Sequence, residues 1–271
     1  MNQIRLLEEV NAITGRFSFI GLEEAEKVKL FNRIDQKYIF HVQTLAGILK
    51  NLTSEYDILM VNGYVNQPYR SLYFDTREYA MYYAHHNGHL NRYKVRIREY
   101  TSTGAMFLEV KFKSNQDRTI KNREKVTEIL SEFDEASRMF IKRNTVFSPE
   151  NLQPQTWTNF NRITLIHKER KERVTVDTSP EWLYQDYRLV LPSLVIAEVK
   201  REKQAALLFS RSLHQQGIRP CGISKYSIGS AMLNPGLRKN MFKSTILSIQ
   251  KICNNELPSF TSAGIDTGIR N

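Results

Sequence analysis

Over residues 92–113 the chain alternates charged and apolar positions with a period of two. Arg92, Lys94, Arg96 and Arg98 share one parity, while Tyr93, Val95 and Ile97 share the other. After the turn-prone residues 101–104 the rhythm resumes, with Glu109, Lys111 and Lys113 set against Leu108, Val110 and Phe112. Successive side chains of a strand point to opposite faces, so this stretch predicts a β-hairpin with one charged and one mostly apolar face. Such a charged face is either ordinary solvated surface or the lining of a polar interior. Four cations on one strand face also concentrate like charge that sheets normally disperse.

The same period recurs along the chain. Arg33, Asp35 and Lys37 alternate with Ile34, Tyr38 and Phe40, and over 69–75 Ser71, Tyr73 and Asp75 alternate with Arg70, Leu72 and Phe74. Residues 159–167 and 170–177 form a second predicted hairpin. In it Arg162 and Thr164 alternate with Ile163 and Leu165, and Arg173, Thr175 and Asp177 with Val174 and Val176. Residues 189–191 and 194–200 predict one or two further strands, the last with Glu198 and Lys200 on one face.

Helical spacing appears elsewhere. Residues 1–31 carry Ile4, Leu7, Val10, Leu22, Ala25 and Val28 at helical intervals, to pack on the main body or on a partner. Residues 43–60 present Leu45, Ile48, Leu49 and Leu52 as a stripe. Residues 132–142 bring Phe133, Ala136, Met139 and Phe140 to the core, and 201–216 bring Ala205, Leu208, Phe209 and Leu213. Residues 238–253 predict one more helix. Residues 114–126 are polar and basic without apolar periodicity, which reads as a loop, either mobile and substrate-facing or simply solvated. Residues 224–227 read as a loop or short strand. From Asn254 the chain has little core-forming power and is expected to be disordered. No internal repeat and no linker between two domains is evident. The expected division is 1–31 helical, 32–235 the main domain, and 236–271 a helix and tail.

At least six predicted strands therefore place Lys or Arg beside apolar residues, and four also carry an acid. Antiparallel strands in this number escape exposed edges by closing on themselves. The expected fold is α+β: a closed antiparallel β-barrel of about eight strands, its apolar outer face covered by helices. Its lumen is then cationic and must hold water, metal and polyanion.

Charge sharpens this picture. The 271 residues include 39 Lys+Arg and 28 Asp+Glu, a net +11. That field attracts nucleic acid, an anionic membrane surface or polyanionic small molecules. Tyr93 and Tyr100 among the cations raise a nucleic-acid reading. The RNA-recognition consensus is missing, however, and Tyr93 lies opposite Lys94 and Arg96, so no nucleic acid is expected. Cys221 and Cys253 fit neither a structural zinc site nor a disulfide framework. His85, His86 and His89 invite a metal reading, but an Asn87–Gly88 turn flanked by exposed histidines explains them as well. Acids stand near the N-terminus where a signal peptide needs an apolar core. The longest apolar candidate span, 189–199, is broken by Pro192, Ser193 and Glu198. A cytoplasmic protein is expected, with peripheral attachment to the inner face of a membrane left open.

Six short motifs in order carry a resemblance: Arg33-x-Asp-x-Lys-Tyr, Ser71-x-Tyr-Phe-Asp-Thr76, Arg92-x-Lys-x-Arg-x-Arg, Leu108-Glu-x-Lys111, Glu198-x-Lys200 and Ser224-Lys-Tyr226. Over residues 30–235 the chain resembles the VTC domain, the catalytic polyphosphate polymerase domain of the vacuolar transporter chaperone. That domain is one branch of the triphosphate tunnel metalloenzymes. The resemblance implies an eight-stranded tunnel and transfer of the γ-phosphoryl group of ATP to a growing polyphosphate chain, assisted by Mn²⁺ or Mg²⁺. It implies phosphate-holding roles for Lys37, Arg96, Arg98, Lys111, Arg162, Arg173, Lys200 and Lys225. Glu198 would anchor the metal with Glu109 and Asp177 as helpers, and Lys94, Arg123, Lys125, Tyr73 and Tyr226 would contact substrate. Pyrophosphate and triphosphate are further expected ligands. Phosphoryl transfer has charge spread over equatorial oxygens, so positioned cations do most of the catalysis and no protein nucleophile is needed.

The sequence departs from the wider superfamily, whose opening motif is Glu-x-Glu-x-Lys. Arg33-x-Asp35-x-Lys37 has one acid fewer and one cation more, which favours handling of phosphate chains over two-metal hydrolysis. No phosphate-sensing helical module or membrane span is read here, so coupling to translocation would come from a separate membrane protein or be absent. A triphosphatase and a non-catalytic polyphosphate sensor of the same fold stand as alternatives.

Overall fold

The structure is a computed structural model that describes residues 3–27, 33–116, 118–202 and 208–253. The chain opens with helix α1 (Gln3–Thr14), a short strand β1 (Ser18–Ile20) and helix α2 (Leu22–Lys27). Strand β2 (Arg33–His41) leads into α3 (Val42–Lys50), where the His41 ring nitrogen accepts the Gln43 backbone N–H and caps the helix. Then come β3 (Tyr56–Leu59), β4 (Gln67–Thr76), α4 (Ala80–His86), and the hairpin β5 (Arg92–Tyr100) and β6 (Ala105–Lys113). Strand β7 (Thr119–Val126) and helix α5 (Glu135–Asn144) precede two long strands, β8 (Leu152–His167) and β9 (Glu172–Tyr184). The chain continues through β10 (Tyr187–Val190), β11 (Leu194–Glu202), α6 (Leu208–Gln215), α7 (Lys225–Leu233) and α8 (Lys243–Ile252).

The strands form one sheet whose main path runs β2-β11-β9-β8-β4-β5-β6-β7, with every neighbouring pair antiparallel. The expected eight strands are there, but the expected closure is not. Strands β2 and β7 end the path, and among the described residues they do not pair. Strand β7 is almost wholly exposed and sends Lys121, Arg123 and Lys125 to the same face as Lys37 on β2. Two cationic edges gain little burial by meeting and bring like charges together.

The sheet nevertheless curls. Lys111 on β6 lies within electrostatic reach of Lys37 on β2 and of Glu198 and Lys200 on β11, which stand five to six strands away along the path. The convex face carries two apolar clusters. Leu6, Val10 and Ile13 of α1, Leu45 and Leu49 of α3, and Phe209 and Leu213 of α6 pack on Tyr38, Phe40, Ile163, Val174 and Val199. Phe140 and Ile141 of α5 pack on Leu72, Val95, Ile97, Leu108 and Val110. A third cluster lies on the concave face, where α7 sits among Ile39, Tyr73, Trp182, Leu194 and Ile196 and is covered by α8. Each convex cluster is the apolar parity read from the sequence.

Several local expectations need correction. The helix expected over 43–60 ends at Lys50, and Tyr56–Leu59 is a strand because Tyr56 and Ile58 fill the convex cluster. The polar stretch 114–126 contains a strand. Where one helical segment is expected over 1–31, the described residues 3–27 form two helices around β1, which pairs with β3. In α5, Met139 is exposed and Ala136 faces water, while Ser137 and Ile141 are buried. Ser224–Ser227 is neither loop nor strand but the start of α7. The Ser224 hydroxyl accepts the Ser227 N–H at its N-cap. Ala205, Val28 and the tail from Asn254 lie outside the described residues. Among the described residues no helix is long and apolar enough to cross a membrane.

Candidate functional site: a charged concave face

Register places the cations side by side. Glu198 pairs with Lys37 on one side and Thr175 on the other, and Lys200 lies between Asp35 and Arg173. Arg162 faces Asp177, Arg96 lies between Tyr73 and Glu109, Arg98 between Ser71 and Phe107, and Lys94 opposite Lys111. Strand β7 continues the row with Lys121 beside Lys111, Arg123 beside Glu109 and Lys125 beside Phe107. All the sequence-predicted residues described in the structure thus stand on the concave face. Arg123 and Lys125 are exposed on the edge strand and Lys111 is exposed within the concavity, while the rest lie deeper.

Two of the three acids are consumed in holding cations. Glu109, 2% exposed, accepts both Nε and Nη2 of Arg96 on Oε2 at 2.8 and 2.6 Å, and Lys121 Nζ stands 2.5 Å from Oε1. Asp177 accepts Arg162 Nε on Oδ1 at 2.6 Å and Nη2 on Oδ2 at 2.8 Å, and Lys225 Nζ donates to the same Oδ2. Burial alone would raise both carboxyls, but the cations overcome it: Glu109 is drawn down to about 2, and Asp177 falls below its usual range. Glu198 is looser. Its ion pair with Lys200 spans 3.5 Å and its side chain is 22% exposed. Burial would raise it too, yet Lys200, Lys37, Arg162 and Lys111 draw it down to about 2.

The lysines show the reverse strain. Lys111 is open to water within the concavity but ringed by protein. Desolvation, with the repulsion of Lys37, Lys200 and Arg96, pushes it down to about 8. Lys94 is pushed well below its ordinary value, first by desolvation and then by Lys37, Lys111, Arg92 and Arg96. These sites are short of negative charge.

Helix α7 closes one end of the concavity and orients part of the row. Lys94 donates to Ser224 Oγ at 2.8 Å, and Lys37 donates to the Ile223 carbonyl at 3.1 Å. The Tyr226 ring stacks on Tyr73, whose hydroxyl accepts Arg96 Nη1 at 2.9 Å. Behind them Asp75, fully buried, accepts the Tyr226 hydroxyl at 2.6 Å and the backbone N–H groups of Thr76, Met81 and Tyr82. Trp182 Nε1 donates to the Lys225 carbonyl at 2.9 Å. At Gly229 an added Cβ would lie 2.0 Å from Trp182 Cδ1, so only glycine lets α7 seat there.

Sequence reasoning missed several members. Lys121 shares the parity of Arg123 and Lys125, and an alternation test over 119–126 would have found it. Ser71 and Ser224 stand inside the quoted motifs but were given no role. Phe160, Tyr69 and Phe107 carry no charge and gave no signal. Tyr100 does share the concave, cationic face, unlike Tyr93. Among the described residues the histidines do not gather into a metal-holding group. His85 bonds Ser227 Oγ at 2.7 Å, His86 bonds Asn87 Oδ1 at 2.9 Å, and His89 is exposed.

Among the described residues no group of three or more His, Cys, Asp or Glu could by itself hold a metal ion. The donor set therefore fits a divalent cation only in part. Glu109 and Asp177 are occupied by guanidinium and ammonium groups, and Glu198 is the acid with room to take a further partner. One carboxylate, completed by phosphate oxygens and water, suits Mg²⁺ or Mn²⁺ arriving with a polyphosphate.

Comparisons with known proteins follow this geometry. No curated protein sequence matches the chain. Among solved structures, a candidate adenylate cyclase from Vibrio parahaemolyticus is similar at 14% identity, covering 74% of this chain and 98% of its own, with a TM-score of 0.42. A candidate adenylate cyclase from Bacillus halodurans is similar at 13% identity, 72% and 96% coverage and a TM-score of 0.47. A candidate adenylyl cyclase from Hippeastrum, described as having a dominant triphosphatase activity, is similar at 14% identity, 73% and 95% coverage and 0.47. The family signature of the VTC domain matches residues 32–234, three quarters of the chain and the whole strand path from β2 to α7, and the chain belongs to the VTC domain family.

Proposed function

We propose that this protein is an ATP-dependent polyphosphate polymerase. In this reading it transfers the γ-phosphoryl group of ATP to the end of a growing inorganic polyphosphate chain on the concave face. The observation that carries it is the crowding of cations from β2, β5, β6, β8, β9, β11 and α7 on one surface, tight enough to push Lys111 down to about 8. A phosphate chain, with a negative charge at every unit, relieves that crowding along its length.

Lys37, Lys94, Arg96, Arg98, Lys111, Arg162, Arg173, Lys200 and Lys225 hold the phosphates of donor and acceptor in line, and Arg123 and Lys125 gather the chain at the edge. Arginine forks the equatorial oxygens and lysine follows as a point charge. Glu109 and Asp177 hold Arg96 and Arg162 in place instead of binding metal. Glu198 would hold a divalent cation arriving with the phosphates, which would supply charge neutralisation at the transferred group. Tyr73 and Tyr226 fix Arg96. The attacking atom is an oxygen of the acceptor's terminal phosphate, so the chain supplies position and field rather than a nucleophile. The protein works in the cytoplasm, at the inner face of a membrane where a separate membrane protein takes up the product.

Incubation with ATP and Mn²⁺ or Mg²⁺, followed by gel separation of phosphate chains, tests the reading. A ladder of long chains is expected. Orthophosphate without chain growth would replace it with a triphosphatase, and triphosphate binding with no turnover would replace it with a sensor.

A further inference from the structure

A band of aromatic rings crosses the concave face where the cation rows on β5 and β8 end. Phe160, Tyr69 and Tyr100 are neighbours in register on β8, β4 and β5, and Phe107 on β6 stands beside Arg98, one pair short of Tyr100. Phe160 and Tyr69 stack at 5.4 Å, with the guanidinium groups of Arg98 and Arg162 over both rings, so these two are already committed to holding arginines. Tyr100 and Phe107 differ. Both are half-buried, their rings meet edge-to-face at 6.0 Å, and they form an L-shaped apolar corner. The exposed Arg123 rests its guanidinium 4.8 Å from the Phe107 ring centre, and Lys125 and Arg98 flank Phe107 in register on either side.

We infer that Tyr100, Phe107 and Arg123 form a nucleobase-stacking subsite, so that the donor is recognised as a nucleotide and not merely as a string of phosphates. This rests on the reading above and names what distinguishes its donor from its product. A planar base stacks on Phe107 once the exposed Arg123 side chain swings outward to cover its other face, with the Tyr100 edge as the second wall. Ring faces and a guanidinium plane attract any base, purines most strongly. Tyr100 lies two residues beyond Arg98, about 7 Å along the strand, and Phe107 stands directly across from Arg98, so the corner adjoins the phosphate cations. Inorganic polyphosphate has no ring to stack on Phe107 or Tyr100, so a grown chain meets this corner only through Arg123.

The test compares ATP with inorganic tripolyphosphate by calorimetric titration on wild type, Phe107→Leu and Tyr100→Leu. The expected result is a loss of at least fivefold in ATP affinity in each variant, with tripolyphosphate affinity unchanged within twofold. The retained tripolyphosphate binding also reports that the variants are folded. Wild type should bind ATP and GTP alike and both more tightly than UTP. Equal loss for both ligands, or no loss of ATP affinity, overturns the subsite while leaving the phosphate-handling site intact. A wild type that binds neither ligand overturns the site itself.

Discussion

Arg162 on β8 and Asp177 on β9 face each other directly in register and share two hydrogen bonds of 2.6 and 2.8 Å, with Lys225 of α7 drawn onto the same carboxylate. One buried acid therefore fixes two cations from two sides of the concavity. Asp177→Asn leaves both buried and unmatched, and breaking such a pair costs about 3–5 kcal/mol. The expected outcome in denaturant titration is a loss of that order without ligand. The deficit should shrink when tripolyphosphate restores the missing negative charge. An unchanged deficit would mean that ligand and Asp177 serve different cations.

The crowded lysines predict an unusual response to pH. Lys111 sits at about 8 against an ordinary 10.5, so between those values the unfolded chain holds a proton that the folded one has shed. Stability of the free protein should rise as pH goes from 8 towards 10.5. Glu109 and Glu198 work at the other end. Both are drawn down to about 2 from 4.5, so the stability they contribute is fully present above about 4.5 and disappears as pH falls towards 2. A melting series across pH checks both limbs. A polyanion restores the lysine proton, so tripolyphosphate binding should take up protons near pH 8.5, and Lys111→Met should reduce the uptake. Calorimetry in buffers of different ionisation enthalpy reads this directly.

Seating of α7 hinges on one missing methyl group. Gly229→Ala puts a Cβ 2.0 Å from Trp182 Cδ1 in a cluster where both are buried. Overpacking of this kind costs about 1–3 kcal/mol. The Trp182 bond to the Lys225 carbonyl should break as the helix shifts, moving Lys225 off Asp177. A lowered melting temperature with altered tryptophan fluorescence and weaker tripolyphosphate binding is expected. Unchanged binding would show that α7 is not needed to place Lys225.

Glu198→Gln separates binding from turnover. It removes an acid from among Lys200, Lys37, Arg162 and Lys111, so metal-free tripolyphosphate binding should hold or tighten. Turnover with Mn²⁺ or Mg²⁺ should fall by about 10²-fold or more, the scale of losing a positioned charge from a phosphoryl-transfer site. Weaker metal-free binding would mean that Glu198 chiefly orders its lysines.

The strands with one buried face were legible because burial imposes a period of two, as in Val95 and Ile97 against Lys94, Arg96 and Arg98. Strand β7 was not, since an edge strand that buries almost nothing needs no apolar parity. Helix α7 failed for the opposite reason: Tyr226, Ser227, Ile228, Ser230 and Ala231 are all buried, and a helix enclosed on every side shows no stripe. The hazard of open edges points to closure of the sheet, but that hazard is weak where β7 is studded with lysine and arginine.

The margin between β2 and β7, unpaired among the described residues, has a topological consequence. A sleeve slit along its side never encircles what it holds, so a polymer can be laid in or lifted out laterally without threading an end. With α7 stoppering one end, that slit and the opposite mouth are the two openings left to a bound chain.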